Sequence, residues 1–353
     1  MSYEVTIEPL GETIEVEEDQ TILDAALRAG VWLPHACCHG LCATCKVDVV
    51  DGEVEQGEAS PFALMDFERD EGKCLACCAI PTSDLVIEAD IEEDADAEVH
   101  PVQDYAGVVV AINELTPTAK SVVVELDRDM EFQAGQYVNL GLPDLNQSRA
   151  FSLANAPSEK RRIELQIRLI PGGEATTYIH QQLQVGDKVD ITGPYGRFFV
   201  RKSVEADALF LACGTGLSSP KSMILDMLDK GDQRNIKLFH GVRNSAELYD
   251  REIFEKLAAE CDNFTYVPVL SQPATDEQWT GATGYVQDVA REHMDNDFRG
   301  NKAYLCGSPN MIDSAITTLI QGRLYERDIH FEKFISAADA AQQNQRSPLF
   351  KSI

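Results

Sequence analysis

The spacing of apolar residues changes period twice along the chain. Tyr3–Glu8 and Thr13–Val16 alternate apolar and polar positions around Gly11, which predicts an opening hairpin. Ile22–Ala29 then carries apolar residues at helical spacing. Thr21 suits the N-cap of that helix and Gly30 its C-terminal stop. Cys45–Val50 alternates again, with Asp51-Gly52 as its turn, and Leu85–Ala89 reads as the last strand of this first unit. Ile91–Val99 is acidic and poor in aromatics, the composition of a linker.

From Tyr105 short alternating runs follow one another: Val108–Ile112, Ser121–Leu126, Tyr137–Leu142, Ile163–Leu169 and Lys188–Ile191. Turn residues separate them, and Thr176–Leu183 is the one helical interruption, so the stretch predicts an antiparallel barrel. From Asp207 strands and helices alternate. Strands are expected at Ala208–Ala212, Ile236–Gly241, Thr265–Leu270, Ala303–Cys306 and Ile329–Phe334. The intervening helices are expected at Lys221–Leu228, Ala246–Ala259, Tyr285–His293 and Asn310–Ile320. That order predicts a doubly wound parallel sheet. The expected domains are 1–98, 103–203 and 204–335, with a polar tail over 336–353.

Composition adds a location and narrows the partners. No apolar run approaches a membrane span, and the start MSYEVTIEP lacks a basic region and an apolar signal core. A cytoplasmic protein is expected. The net charge of −29 is concentrated in residues 1–100, which hold 25 Asp and Glu against 4 Lys and Arg. Nucleic acid and anionic membranes are poor partners for such a surface, whereas a basic protein partner would be attracted to it.

Chemistry enters with Ala36–Val47, ACCHGLCATCKV. Cys37, Cys42 and Cys45 form a C-x4-C-x2-C run, the plant-type spacing for a 2Fe-2S cluster, and LACCAIPTSD downstream offers Cys77 or Cys78 as the fourth thiolate. Small residues, Gly40 and Ala43, let the backbone wrap a compact inorganic core. A rival pairs Cys42-x2-Cys45 with Cys74-x2-Cys77 as an all-cysteine zinc site, which leaves Cys37 unexplained. That rival would make the chain a zinc-stabilised nucleotide-binding sensor without turnover.

The later motifs are suited to flat rings and phosphates. In RAFSLAN, Arg149 offers a forked cation for a pyrophosphate, Phe151 a flat face and Ser152 a hydroxyl for a ring nitrogen. GGEATTYI places Gly173 and Thr176 at a helix start, where free N–H groups can meet a phosphate. CGTGLSSP follows the first parallel strand, so Gly214, Thr215 and Gly216 lie where a dinucleotide approaches the strands' carboxyl ends. YLCGSPNM is a second such edge. Cys306 ends a strand, Gly307 turns and Pro309 opens a helix.

Taken together, RAFS, GGEATT, CGTGLSSP, GVRNSAELYDRE, YLCGSPNM and FEKF, in this order behind a plant-type cysteine run, resemble the ferredoxin–NADP reductase superfamily. Over essentially its whole length the chain is similar to the reductase components of bacterial phenol hydroxylases. GQY before RAFSLAN, ASPFALMDFERDEGK and RDIHFEKF belong to that similarity.

The resemblance implies a β-grasp-like ferredoxin domain, an antiparallel flavin-binding barrel and a doubly wound nucleotide-binding sheet. It selects Cys77 as the fourth ligand, because Pro81–Asp84 follows it at the family's distance. Cys38, Cys74, Cys78 and Cys261 are then packing residues. Arg149, Phe151 and Ser152 would hold FAD, Gly173 and Thr176 its phosphates, and Gly214–Gly216 with Gly307 the NADH. Cys306 would lie beside the hydride path and Phe334 near the isoalloxazine.

Electrons would then run from NADH through FAD and the cluster to an external oxygenase. A ring-hydroxylating dioxygenase or another one-electron acceptor is the alternative partner. Cys213 and Ser308 depart from the glycine and proline that many relatives carry there.

Overall fold

In a computed structural model of the protein, structure is described for residues 2–36, 38, 40–92, 94–142, 145, 147–274 and 278–334. The chain divides into two compact units, 1–104 with 193–196, and 105–192 with 197–353.

The first unit is built on β1 (Ser2–Glu8) and β2 (Glu12–Glu17), an antiparallel pair whose Val5, Ile7, Ile14 and Val16 all point into the core. Helix α1 (Ile22–Arg28) starts where expected. The Asp24 N–H donates to Thr21 Oγ1 at 3.3 Å, and Gly30 follows at φ +79°. Next come β3 (Lys46–Asp51), β4 (Val54–Glu55), α2 (Asp66–Asp70), β5 (Lys73–Leu75), β6 (Ile80–Pro81) and β7 (Leu85–Glu88). The main sheet runs β2-β1-β7-β3-β5, with β1 and β7 parallel at its centre, while β4 and β6 pair separately. Gly52 makes the predicted turn at φ +92°. A Cβ there would lie 2.2 Å from the Asp84 carbonyl, so only glycine fits.

The second unit opens with a curled antiparallel sheet. Its strands are β8 (Gln103–Thr116), β9 (Ala119–Leu126), β10 (Tyr137–Leu142), β11 (Gln147–Ser152), β12 (Arg162–Arg168) and β13 (Lys188–Tyr195). Their order is β11-β10-β13-β8-β9-β12. The outer strands meet at one bridge, Leu153 to Leu165, reinforced by the Ala154 N–H donating to Glu164 at 2.9 Å. The sheet is thus a half-barrel, and α3 (Glu174–Gln181) packs Ala175, Tyr178 and Ile179 into its core.

The remainder alternates strand and helix: β14 (Asp207–Cys213), α4 (Ser218–Asp229), β15 (Ile236–Val242), α5 (Arg251–Glu260), β16 (Phe264–Leu270), β17 (Ala282–Thr283), α6 (Val286–His293), β18 (Asn301–Gly307), α7 (Pro309–Gln321) and β19 (Ile329–Lys333). The parallel sheet has the order β17-β16-β15-β14-β18-β19, so the winding direction reverses between β14 and β18. Strand β14 is apolar from Ala208 to Ala212 because both its faces are covered there. Ala208, Phe210 and Ala212 enter one core, Leu209 and Leu211 the other. Each of the larger side chains contributes about 1.5–3 kcal/mol by its burial.

Two helices differ from the sequence pattern. The glycine turn is a 3-10 turn over Gly214–Leu217 that runs directly into α4 three residues earlier than the apolar spacing suggests. The helix expected from Ala246 is instead a 3-10 turn at Ser245–Glu247, an extended Leu248 and a left-handed Asp250 at φ +55°, with α5 beginning only at Arg251. Tertiary partners explain the break. Tyr249 is buried and its hydroxyl donates to the Gly214 carbonyl at 3.1 Å, while Asp250 accepts from Gln166 at 2.7 Å and pairs with Lys221 at 2.8 Å. Those contacts outweigh helix propensity.

Candidate active site

Main-chain bonds bring two thiols of the first unit together, although among the described residues no three form a ready metal-binding group. The Ala76 N–H donates to the Cys45 carbonyl at 2.9 Å, which brings the segment of Cys77 against that of Cys45. Cys45 is buried, Cys77 half-buried and Cys42 exposed, while Cys37 lies outside the described residues. The Cys45 and Cys77 thiols share a hydrogen bond. It pushes Cys77 down to about 6, helped by the Gly40 N–H, and together with burial pushes Cys45 up.

The loop before them is held in unusual backbone. Cys38 and Ala43 have φ of +55° and +62°, and a Cβ on Gly40 would lie 2.8 Å from both Cys78 Sγ and the Glu58 carbonyl. Cys77 beside Cys45, under a loop this tight, fits two of the four thiolates that an iron–sulfur cluster takes.

Cys74 behaves differently. It is fully buried in the sheet core opposite Val47, with its thiol pushed up to about 12 by desolvation first and Asp48 second. That environment suits packing rather than the zinc pairing. Cys38, Cys78 and Cys261 are half-buried and pack against core clusters. Cys78 Sγ lies 3.6 Å from Cys77 Sγ.

In the second unit, the carboxyl edge of the parallel sheet faces the half-barrel. Strand pairing sets Cys306 opposite Glu332. The Glu332 Oε2 accepts from Ser219 Oγ at 3.1 Å and from Ser152 Oγ at 3.2 Å, and lies 3.8 Å from Cys306 Sγ. Ser219 and Cys306 are wholly buried and Ser152 nearly so, so the carboxylate is ringed by buried groups although the residue keeps some exposure. Desolvation pushes Glu332 up to about 7, against the pull of its three donors. Burial, then Glu332, pushes the Cys306 thiol up as well.

Sequence reasoning singled out Ser152 and Cys306 but not Glu332, the acid at their centre. The signal available was its position inside FEKF, one strand pairing away from Cys306. Phe334 closes the same edge, half-buried, its N–H donating to the Gly307 carbonyl at 2.8 Å.

The glycines of this edge have steric causes. A Cβ on Gly216 would meet the Cys306 carbonyl at 2.3 Å, and one on Gly307, at φ +145°, would meet Cys213 Sγ at 2.5 Å. The two departures from the family pattern touch each other. The Ser308 N–H donates to Cys213 Sγ at 3.4 Å, a bond that proline could not make.

Beside this edge opens a cleft of about 560 Å³ lined by Cys213, Gly214, Thr215, Arg243, Glu247 and Ser308, among others. It has the size and the few polar groups of a small-molecule site. Glu247 accepts from Thr118 at 2.8 Å across the cleft wall. The remaining predicted residues lie on the half-barrel. Arg149 is exposed and donates to Ser148 O and Gln147 Oε1, and Phe151 packs against the barrel core. Gly173 caps α3, and Thr176 Oγ1 accepts from the Ile170 N–H at 3.1 Å, closing the loop before the helix.

Half-barrel and parallel sheet are tied by a buried network. Lys221 Nζ lies 2.9 Å from Glu164 and 2.8 Å from Asp250, and Gln166 Oε1 lies 3.2 Å from the hydroxyls of both Ser218 and Tyr249.

Three domain families match the chain. A 2Fe-2S iron-sulfur cluster binding domain matches residues 5–82, an oxidoreductase FAD-binding domain 107–200 and an oxidoreductase NAD-binding domain 210–316. The chain is 63% identical over 353 residues to the phenol 2-monooxygenase reductase component of Pseudomonas sp. strain CF600, covering 100% of each. It is 61% identical to the phenol hydroxylase P5 protein of Acinetobacter pittii strain PHEA-2, again covering 100% of each. The crystal structure of a reductase from Amycolatopsis matches with a TM-score of 0.85 and 34% identity, over 94% of this chain and 98% of that one. Identity at this level over the full length of both relatives, with the three domain matches, shows that the chain belongs to the family of phenol hydroxylase reductase components, oxidoreductases with 2Fe-2S, FAD and NAD domains.

Proposed function

We propose that this chain oxidises NADH and delivers the electrons to the oxygenase component of a phenol hydroxylase. The observation that carries the reading is the convergence of Ser152, Ser219 and Cys306 on Glu332, where the half-barrel meets the carboxyl edge of the parallel sheet beside an open cleft. When bound, FAD supplies a two-electron acceptor able to release single electrons, and the cluster a one-electron carrier.

The protein's work is placement. Cys37, Cys42, Cys45 and Cys77 would hold the cluster. Arg149, Phe151, Ser152, Gly173 and Thr176 would hold the flavin. Gly214, Thr215, Gly216 and Gly307 would leave room for the dinucleotide. Cys306 and Phe334 would stand at the meeting of nicotinamide and flavin rings, with Glu332 anchoring the Ser152 hydroxyl and keeping bulk water from it. Three functional domains follow, 1–98, 103–203 and 204–335, and the family matches fall within them.

Coenzyme choice follows from charge. Ser271 lines the cleft and the adjoining segment through Gln278 contains no Lys or Arg, while Asp276 and Glu277, which lie outside the described residues, would repel a ribose phosphate. Two cations line the cleft, Arg168 from β12 and Arg243 just past β15, on strand ends other than that of Ser271. NADH is therefore preferred. The acidic first unit is the docking side for the oxygenase, by charge steering of a basic surface. Among the described residues no helix is long and apolar enough to cross a membrane.

Reconstitution tests the reading. NADH should support reduction of a phenol hydroxylase oxygenase component with kcat/KM at least about tenfold above NADPH. Equal values would remove the coenzyme assignment. NADH oxidation with no oxygenase reduction would remove the function.

A further inference from the structure

The cluster-bearing unit keeps four large apolar side chains in water within one region. Phe62 is 91% exposed, Leu41 68%, Phe67 57% and Met65 48%. Phe62 is followed by Ala63 and Leu64, which are buried. Its backbone is fixed. The Phe62 N–H donates to Ser60 Oγ at 3.3 Å, and the Ala63 and Leu64 N–H groups both donate to the Ser60 carbonyl at 2.9 Å. The turn in turn is tied to the thiol loop, because the Ser60 N–H donates to the Gly40 carbonyl at 2.9 Å. Gly40 directly precedes Leu41 and Cys42. Helix α2 continues the same surface with no buried residue, pinned by Met65 N–H to Glu68 at 2.9 Å and by the Lys46–Glu68 pair at 2.6 Å.

The ring of Phe62 is thus held out by ordered backbone. A clustered apolar surface left in water marks an interaction site. Its rim is acidic. Glu58, Asp66, Asp70 and Glu71 are exposed around it, whereas the nearby cations are engaged: Lys46 with Glu68, Lys73 with Asp48 and Arg69 with the Ala59 carbonyl.

We propose that Phe62 and Leu41, flanked by Met65 and Phe67, are the apolar anchor by which the oxygenase component docks on this unit. The partner surface it fits is an apolar pocket ringed by Lys and Arg. The acidic rim orients the encounter and the aromatic anchor sets the lifetime of the complex, the usual division between charged rim and buried aromatic. Docking here brings the oxygenase to the loop of Cys42 and Cys45, the edge from which a single electron leaves. The proposal rests on the reading that an oxygenase component is the acceptor.

The test uses the full holo chain, oxidised, titrated with purified phenol hydroxylase oxygenase component by biolayer interferometry. Phe62→Ala should raise Kd at least about tenfold and Phe62→Asp further, with the visible absorbance of cluster and flavin unchanged. NADH–ferricyanide turnover should also stay at the wild-type rate. A Kd within about twofold of wild type for both variants would overturn the proposal. So would an unchanged Kd with slowed flavin-to-cluster transfer, which would make the patch a surface for the chain's own second unit. A wild-type chain that fails to bind the oxygenase would overturn the acceptor assignment, and this proposal with it.

Discussion

Glu332 and His240 carry opposite acid–base signatures. Glu332 sits at about 7 in the fold against 4.5 as a free carboxyl. A raised carboxyl means that the folded state holds the extra proton. Its contribution to stability is fully present below pH 4.5 and is lost as pH rises through 7, on the order of 3 kcal/mol. His240 is buried, edge-on to Tyr249 at 5.5 Å, and desolvation pushes it down to about 4 against a weaker pull from the Gly214 backbone. Here the unfolded state takes the proton first, so stability falls as pH drops from 6.5 to 4.

Glu332→Gln should flatten the alkaline decline of Tm between pH 5 and 8, and His240→Phe the acid decline below pH 6.5. Thermal denaturation of the holo-protein over pH 4–8 separates them. Unchanged slopes in both variants would contradict the assignments. Of these two residues neither was legible in the sequence. Their chemistry comes from strand pairing and desolvation, which no spacing records. Ser152 and Cys306 were legible, because a hydroxyl in RAFS and a thiol at a strand end are local features.

The elements were legible wherever period carried the information. The β1–β2 hairpin, α1 with its Thr21 cap and the apolar run Ala208–Ala212 of β14 all follow from apolar spacing. What was not legible is short or held by tertiary contacts. Strands β4, β6 and β17 are two residues long and have no period to read. The late start of α5 depends on Tyr249 reaching Gly214 and on Asp250 reaching Lys221 and Gln166.

Lys221 is the keystone of that network, 6% exposed between two carboxylates. Lys221→Met would leave Glu164 and Asp250 buried without their cation, so stability should fall by about 3–5 kcal/mol. Urea unfolding of the holo-protein measures it. A loss below about 1 kcal/mol would mean that water or another cation already serves those carboxylates.

At the scale of the molecule, the order of three chemistries was legible, because each set of short motifs falls within one stretch that reads as a recognisable class of sheet. The exposed aromatic turn beside the thiol loop was not, since sequence does not tell a solvent-held Phe62 from a buried Leu64. The central claim is that electrons leave through the thiol-bound cluster after entering at the nucleotide cleft. The measurement that tests it most directly is anaerobic stopped-flow of Cys77→Ser, mixed with NADH and the oxygenase component, alongside Cys78→Ser and wild type. Flavin bleaching by NADH should proceed in all three. Oxygenase reduction should be lost only in Cys77→Ser, together with the cluster absorbance. Oxygenase reduction by Cys77→Ser at the wild-type rate would contradict the account.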